Sequence, residues 1–225
     1  MTVYTYAFTL KGKASELELP EGIFKTVQLI SRDRVAAVVE PDVDVEALHS
    51  NDDRLLQAVL DHDRAICQLF RQTVVLPLRF GTVFDSIAGL EGHLVRQEEA
   101  YFSTLQRLAG KGEYALKFTP LAAPTPDMPA QTKGKAYLLA KKRRYQSLQN
   151  FRESQAAQWA NIRSVITQNY PEAIAAEPRE NTQRMYLLAS VQEESLLHQR
   201  FRDWQSACPS WELHLEGALP PYHFL

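Results

Sequence analysis

The sequence lacks the features that mark secreted and membrane proteins. Its 225 residues include only two cysteines, Cys67 and Cys208, which are far apart and lie in apolar surroundings. We therefore expect buried free thiols in a reducing compartment rather than a disulfide framework. No segment approaches the ~18 uninterrupted apolar residues of a membrane span. The N-terminal residues have neither a basic start nor a small-residue cleavage site, so we expect no secretory signal.

The usual motifs of catalysis and metal binding are also missing. The nine glycines form no phosphate-binding loop, and the chain has no Gly-x-Ser-x-Gly, Cys-x-x-Cys or His-Glu-x-x-His sequence. Asp61, His62 and Asp63 form the best cluster of metal-ligating types. Neighbours on a helix point about 100° apart, however, and cannot share one ion. We predict a protein that is not an enzyme and has no catalytic residues, cofactor or metal.

Charge is nearly balanced, because the formal net charge is -2. Such a balance gives no reason to expect a nucleic acid or a membrane as partner. The one basic run is Lys141-Lys142-Arg143-Arg144. Four consecutive helical residues spread around the helix axis, so we interpret this run as a solvated collar rather than a patch.

Apolar periodicity in the first half predicts an α+β domain. It indicates strands at 2–10, 23–30 and 34–39, a short extended stretch at 74–76, and two helices. The first helix starts at a capping box formed by Ser50 and Asp53 and runs to Phe70. The second helix runs from Ile87 to Leu108 and is ended by the glycines at 110 and 112.

The second half predicts a different order of elements. A strand at 113–119 is followed by a proline-rich loop at 120–130 and by a long helix from about Lys133 to the residue before Pro171. Then come strands at 172–177 and 184–190, a helix capped by Ser190 and Glu193, and a last strand at 211–215. The order β-α-β-β-α-β is that of a ferredoxin-like domain.

The predicted fold is thus α+β with two domains and a tail. We place a looser α+β relative of the ferredoxin-like fold at 1–111, the ferredoxin-like domain at 112–216, and an extended C-terminal tail at 217–225. Ferredoxin-like domains also include RNA-binding modules and small-ligand regulatory modules, which stay as alternative functions. The strand at 184–190 lacks the basic-Gly-aromatic pattern of RNA-recognition strands, which argues against RNA.

Two apolar segments are not explained by ordinary core formation. The segment at 73–84 is apolar apart from Arg79 and is interrupted by Pro77 and Gly81. The C-terminus ends on aromatic residues and a leucine behind a double proline, Pro220-Pro221, although termini are usually polar. Prolines limit such a tail to an extended path, so we expect it to be ordered and packed on the body of the protein.

These two segments carry a family resemblance. Leu76-Pro77-Leu78-Arg79-Phe80-Gly81-Thr82-Val83-Phe84, preceded by His62-Asp63-Arg64, resembles the signature of the GvpF/GvpL family of gas vesicle proteins. The strand Glu113-Tyr114-Ala115-Leu116-Lys117 and the segment Gly134-Lys135-Ala136-Tyr137-Leu138 are similar to the family as well. So is the Gly-x-x-Pro-Pro-Tyr-x-Phe ending at 217–224, where Ala218 stands in place of a proline that many members carry.

The resemblance implies an accessory or minor structural protein of gas vesicle formation, in the cytoplasm and on the vesicle. Gas vesicles are hollow protein shells that give microbes buoyancy. The family acts by binding other gas vesicle proteins, including the hydrophobic shell subunit, and has no enzymatic activity. We expect the partner-binding residues to be Leu76, Pro77, Leu78, Arg79, Phe80, Pro220, Pro221, Tyr222 and Phe224.

Arg79 has two possible roles. It is structural if its guanidinium bonds to a carboxylate or to carbonyl groups of the protein, because a buried cation needs acceptors. The alternative is direct contact with a partner.

Overall fold

The computed structural model describes residues 2–14, 16–23, 25–44, 51–124 and 134–225. The predicted cap Ser50, the predicted helix start at Lys133 and two prolines of the 120–130 loop, Pro126 and Pro129, lie outside these ranges. The chain forms two compact units, Met1–Glu113 with Ala218–Leu225, and Tyr114–Gly217. None of the helices in the described part of the chain has both the length and the hydropathy needed to cross a bilayer.

The first unit is built on an antiparallel sheet with the strand order β2-β3-β1-β4, and β5 also pairs with β1. Both faces of β1 and β3 are buried, since nearly every residue of these strands is inaccessible to water. The elements of this unit are β1 (Val3–Leu10), α1 (Lys11–Ala14), β2 (Gln28–Arg32), β3 (Val35–Pro41), α2 (Asp52–Phe70), β4 (Val75–Pro77), β5 (Val83–Phe84) and α3 (Ile87–Leu108).

An irregularity in β1 distributes its aromatic side chains between two helices. The register with β3 shifts between Thr5 and Ala7. The rings of Tyr4, before the shift, and of Tyr6, at the shift, contact a histidine of α2, whereas the ring of Phe8, after it, contacts aromatic side chains of α3. A simple alternation would have put all three rings on one face.

Two predictions about local structure in this unit are wrong. The strand expected at 23–30 begins only at Gln28, because the backbone N–H groups of Ile23 and Lys25 donate to the carboxyl group of Glu40 instead of to a strand. The helix cap is Asn51, whose side chain accepts from the backbone of Arg54 at 3.1 Å, and α2 begins at Asp52. The helix expected at 87–108 has the predicted bounds.

The second unit contains a four-stranded sheet of order β7-β8-β6-β9. The central strands β6 and β8 are each followed by a helix, which confirms the β-α-β-β-α-β element order. The elements are β6 (Lys111–Pro120), α4 (Lys135–Asn169), β7 (Ile174–Ala175), β8 (Gln183–Ser190), a 3₁₀ turn (Val191–Glu193), α5 (Glu194–Ala207) and β9 (Trp211–Leu219).

The expected caps and ends in this unit need two corrections. The side chain of Ser190 makes no capping bond, because the 3₁₀ turn separates it from α5, which begins at Glu194. The last strand does not end at 215 but continues to Leu219, so residues 217–219 are strand rather than tail.

The core of the second unit is mainly aromatic and aliphatic. The Phe118 ring lies edge-on to Trp159 at 4.9 Å and to Trp211 at 6.5 Å between ring centroids. Gln205 of α5 binds the outer strand β9: its amide accepts from the N–H of Leu213 at 3.1 Å and donates to the carbonyl of Trp211 at 3.1 Å.

Candidate functional site

One turn of α2 holds both segments that the sequence singles out. His62 bonds to the loop of residues 76–84, and Asp63 bonds to the C-terminal segment Ala218–Leu225. Adjacent helical residues point about 100° apart, so the two side chains leave the helix in different directions. This geometry explains why a signature would contain His62 and Asp63 together: each holds a different segment against α2.

His62 fixes the backbone of the loop. It is buried, with Nε2 3.0 Å from the carbonyl oxygen of Leu78 and Nδ1 2.8 Å from the Tyr4 hydroxyl. Because a carbonyl oxygen only accepts, Nε2 carries the proton and Nδ1 accepts from Tyr4. The same hydroxyl accepts from the N–H of Gly81 at 3.3 Å. Burial lowers the pKa of His62, and the bond to Leu78 opposes this only in part, so the imidazole is held neutral.

The rest of the loop is bonded to β1 and to itself. The N–H of Leu78 donates to the carbonyl of Tyr6, and the N–H of Thr5 donates to the carbonyl of Thr82, both at 2.9 Å. The hydroxyl of Thr82 donates back to the carbonyl of Arg79 at 2.6 Å. The loop is therefore a fixed structure that needs no partner to order it.

Gly81 and Phe80 complete the turn. Gly81 has a φ of +83°, a region that residues with a Cβ rarely adopt. The half-buried ring of Phe80 lies edge-on to His62 at 5.7 Å and to Tyr4 at 6.2 Å. The glycine lets the chain reverse direction, and the phenylalanine anchors the loop on the aromatic cluster beneath it.

The described residues give no support to the structural role considered for Arg79. Its side chain is exposed, and it makes no ion pair or hydrogen bond with any described residue. The loop uses the backbone carbonyl of Arg79, not its guanidinium. A fixed loop thus presents to solvent a cation that has no partner among the described residues.

The C-terminal segment is packed on the first unit, as the sequence predicts. The Tyr222 hydroxyl donates to Asp63 at 2.5 Å, and Arg107 donates to the carbonyl of Phe224 at 2.5 Å. The buried Glu113 accepts from the backbone N–H of His223 at 2.8 Å and lies 2.7 Å from its Nδ1. Burial, together with the bond to Asp63, raises the pKa of Tyr222 above its usual range, so its hydroxyl keeps its proton.

The nine residues expected to bind a partner have three kinds of environment. Arg79 alone is exposed. Leu78, Phe80 and Tyr222 are half-buried. The buried residues are Leu76, Pro77, Pro220, Pro221 and Phe224.

A polar cluster in the core of the first unit was not predicted from the sequence. Glu40, which is fully buried, accepts from the Tyr6 hydroxyl at 2.5 Å, from the N–H of Ile23 at 2.8 Å and from the N–H of Lys25. A Cβ added at Gly22 would lie 2.4 Å from the Glu40 carboxylate oxygen, so only glycine fits there. The available signal was a single acidic residue at the end of the apolar strand Val35–Pro41.

Metal-ligating side chains do not converge in the part of the chain that the structure describes. No group of three or more His, Cys, Asp and Glu side chains there could hold an ion. Asp61 instead pairs with Arg64 at 2.7 Å.

These features define a class: a two-unit α+β protein whose C-terminal segment and 76–84 loop are both bonded to one helix of the first unit. The family model described as gas vesicle synthesis protein GvpL/GvpF matches residues 2–225. The chain belongs to the GvpL/GvpF family.

Two solved structures share this fold. The crystal structure of the gas vesicle protein GvpF from Anabaena sp. PCC7120 aligns with a TM-score of 0.71 at 17% identity, covering 99% of this chain and 97% of that one. The crystal structure of GvpF from Microcystis aeruginosa aligns with a TM-score of 0.67 at 14% identity, covering 99% and 98%. No curated protein sequence matches the chain.

Proposed function

We propose that this protein is an accessory or minor structural protein of gas vesicle formation that binds the hydrophobic shell subunit, and other gas vesicle proteins, during assembly. Its place of action is the cytoplasm and the growing vesicle, and its role is binding rather than catalysis. Family membership supports the connection with gas vesicles. The observation that supports the binding site is Arg79, an exposed cation on an otherwise fixed apolar loop, for which the described part of the chain offers no partner.

We assign the nine proposed residues different roles in binding according to their exposure. Arg79 contacts the partner directly, with Leu78 and Phe80 as apolar flanks. The five buried residues and Tyr222 keep the loop and the C-terminal segment in place. A cation next to apolar surface suits a subunit whose own surface is largely apolar but whose backbone carbonyls or carboxylates still need donors.

Rigidity is an advantage for such a site. Binding normally costs about 0.5–1.5 kcal/mol for each side chain or loop residue that becomes ordered. Hydrogen bonds donated by His62 and Thr5 and accepted by Tyr4 and Tyr6 already order the 76–84 loop in the free protein. More of the contact energy then contributes to affinity.

The test is co-expression with the tagged shell subunit, followed by capture and quantification of the bound protein. We expect Arg79→Ala to reduce capture about tenfold without changing the melting temperature, since one charge-assisted bond is worth ~1.5–3 kcal/mol. Arg202→Ala is the matched control, because Arg202 is also an exposed arginine but lies on α5 of the other unit. Undiminished capture of Arg79→Ala, or equal loss in both variants, would exclude Arg79 as the contact.

A further inference from the structure

The long helix α4 extends beyond the sheet on which it packs. Its 35 residues span about 52 Å at 1.5 Å per residue, whereas the 10 residues of β6 span about 33 Å. The buried residues of α4 are Ile162 and Ile166, both in its C-terminal half. The N-terminal half is therefore a helix with little support from its own unit.

The face that packs on the sheet continues along this unsupported half. Helical periodicity places Tyr137, Lys141, Arg144 and Leu148 in line with Ile162 and Ile166. With Tyr145 beside them, these residues line one cleft of about 320 Å³. We call Tyr137, Lys141, Arg144, Tyr145 and Leu148 the basic stripe. Its two tyrosines are 40% and 63% exposed.

All the charged residues in this half of α4 are positive up to Arg152. Between residues 134 and 152 the chain carries six cations and no acid, and the first acidic residue is Glu153. Since the whole protein has a net charge of -2, the remainder has a net charge of -8. Neither Lys141 nor Arg144 forms an ion pair or hydrogen bond with any described residue.

We propose that the basic stripe is a docking surface for an acidic amphipathic helix of a partner protein. The apolar edge of such a helix would cover Tyr137, Tyr145 and Leu148, and its carboxylates would pair with Lys141 and Arg144. A partner helix would match the helical spacing of the stripe, and its carboxylates would be complementary to a surface that has cations but no acidic residue.

A lipid surface fits the stripe less well. A helix that lies in a membrane interface keeps its cations on the face opposite to the apolar one. In the basic stripe the cations lie between the apolar residues, so inserting that face would bury Lys141 and Arg144 without carboxylate partners. An acidic helix provides those partners.

Binding should also stabilise the helix itself. An isolated helix of about 15 residues is marginal in water, and the N-terminal half of α4 has few contacts to support it. Backbone amides at 135–150 should therefore exchange faster with solvent than those around Ile162 and Ile166, and should become protected when the partner docks.

The experiment uses the full chain and a fluorescent synthetic peptide with leucines at heptad positions a and d and glutamates at e and g. We expect saturable binding in fluorescence anisotropy and slower hydrogen exchange at 135–150. Lys141→Glu with Arg144→Glu should weaken binding about tenfold or more, because each desolvated charge pair becomes a like-charge contact. Circular dichroism confirms that each variant is folded.

Arg143→Glu is the matched control. It reverses one positive charge, as each of the two stripe substitutions does, only two residues from Lys141 but about 200° around the helix, so binding should change by no more than about twofold. No binding of the peptide, or an equal loss in Arg143→Glu, overturns the proposal. So does tighter binding of single-stranded poly(U) or of phosphatidylserine vesicles. The surface is independent of Arg79, and Arg79→Ala should bind the peptide normally.

Discussion

The two units bury polar groups in different ways. In the first unit Glu40, His62 and the hydroxyls of Tyr4 and Tyr6 are buried and hydrogen-bonded to one another or to backbone groups. In the second unit the Tyr114 hydroxyl is also buried but has no hydrogen-bond partner among the described residues. The first core therefore fixes particular backbone segments, whereas the second relies on apolar packing around Trp and Phe rings.

This contrast indicates which backbone segments each unit holds in a single conformation. A satisfied buried network holds one geometry, because losing any member leaves the others without partners in a low dielectric. The network of the first unit holds the 76–84 loop and the segment before β2. The apolar core of the second unit holds its sheet and half of α4, and it leaves the other half of that helix exposed.

Spectroscopy can report on the units separately. All three tryptophans, Trp159, Trp204 and Trp211, lie in the second unit, so their fluorescence follows that unit. Far-ultraviolet circular dichroism follows both units. Where only the dichroism transition shifts, the substitution has destabilised the first unit.

The largest effect should follow Glu40→Ala. The Tyr6 hydroxyl and the N–H of Lys25 lose their acceptor, and the N–H of Ile23 keeps only the Tyr6 hydroxyl. Each unpaired buried donor costs ~1–3 kcal/mol, so the free energy of unfolding should fall by about 3 kcal/mol or more. Urea unfolding followed by circular dichroism measures it.

The control for Glu40 is Glu216→Ala, because Glu216 is exposed on β9. Its effect should stay within about 0.5 kcal/mol. If the two substitutions cost the same, the buried network contributes no net stability. In that case the difference between the units is one of composition only.

His62→Phe should have the next largest effect. The substitution keeps an aromatic ring but removes both hydrogen bonds, so the Leu78 carbonyl loses its donor and the Tyr4 hydroxyl loses its acceptor and keeps only the N–H of Gly81. We expect a loss of about 2 kcal/mol and weaker capture by the shell subunit. Limited proteolysis should cut the 76–84 loop faster. An uncut loop at wild-type stability would show that His62 does not hold it.

A pair of smaller substitutions compares the two cores directly. Tyr4→Phe removes a hydroxyl with two partners and should cost about 1–2 kcal/mol, whereas Tyr114→Phe removes an unpartnered one and should be neutral or stabilising. Both side chains are fully buried, so the change in packing is matched. Thermal melts of both variants measure the two losses of stability. A larger loss for Tyr114→Phe than for Tyr4→Phe would contradict the view that hydrogen-bonded hydroxyls stabilise only the first core.

The smallest expected effect is a pH dependence of the stability of the first unit just below pH ~6.5. The pKa of His62 is lowered by burial, and that of His93 is lowered by burial and by Arg96. In the unfolded chain both histidines take up protons below pH ~6.5, while in the folded chain they do so only at lower pH. The free energy of unfolding should therefore fall as the pH drops below about 6.5, by at most ~1.4 kcal/mol per pH unit for each histidine. His62→Phe should reduce this slope, which a urea series from pH 5 to 8 measures.

Local patterns predicted some elements well and others badly. The leucines at 90, 94, 105 and 108 and the glycine at 110 carried enough information for the helix Ile87–Leu108. The family likeness and the odd mixture of Pro, Gly and Arg also directed attention to the 76–84 loop. These signals are contained within the segments themselves.

What the sequence did not reveal depends on distant partners. The register shift in β1 is visible only from its pairing with β3, and the role of Glu40 depends on backbone groups 15 and 17 positions away in the chain. Arg79 can be exposed because the loop is held through the backbone carbonyl of this residue, which accepts from Thr82, and not through its side chain. The apparent capping box at Ser190 failed because a 3₁₀ turn intervened there, which the pattern of residue types does not encode.

Gln205 has a consequence for how the second sheet meets other chains. The outer edge of a terminal strand offers free N–H and C=O groups, and a strand from another protein can extend the sheet there. On β9 the Gln205 amide already occupies these groups at Trp211 and Leu213. The Gln205 side chain thus prevents another strand from pairing with β9 at Trp211 and Leu213. The binding of apolar shell subunits proposed above would bring many such chains close to this edge, and the Gln205 bonds would keep their strands from pairing with it at Trp211 and Leu213.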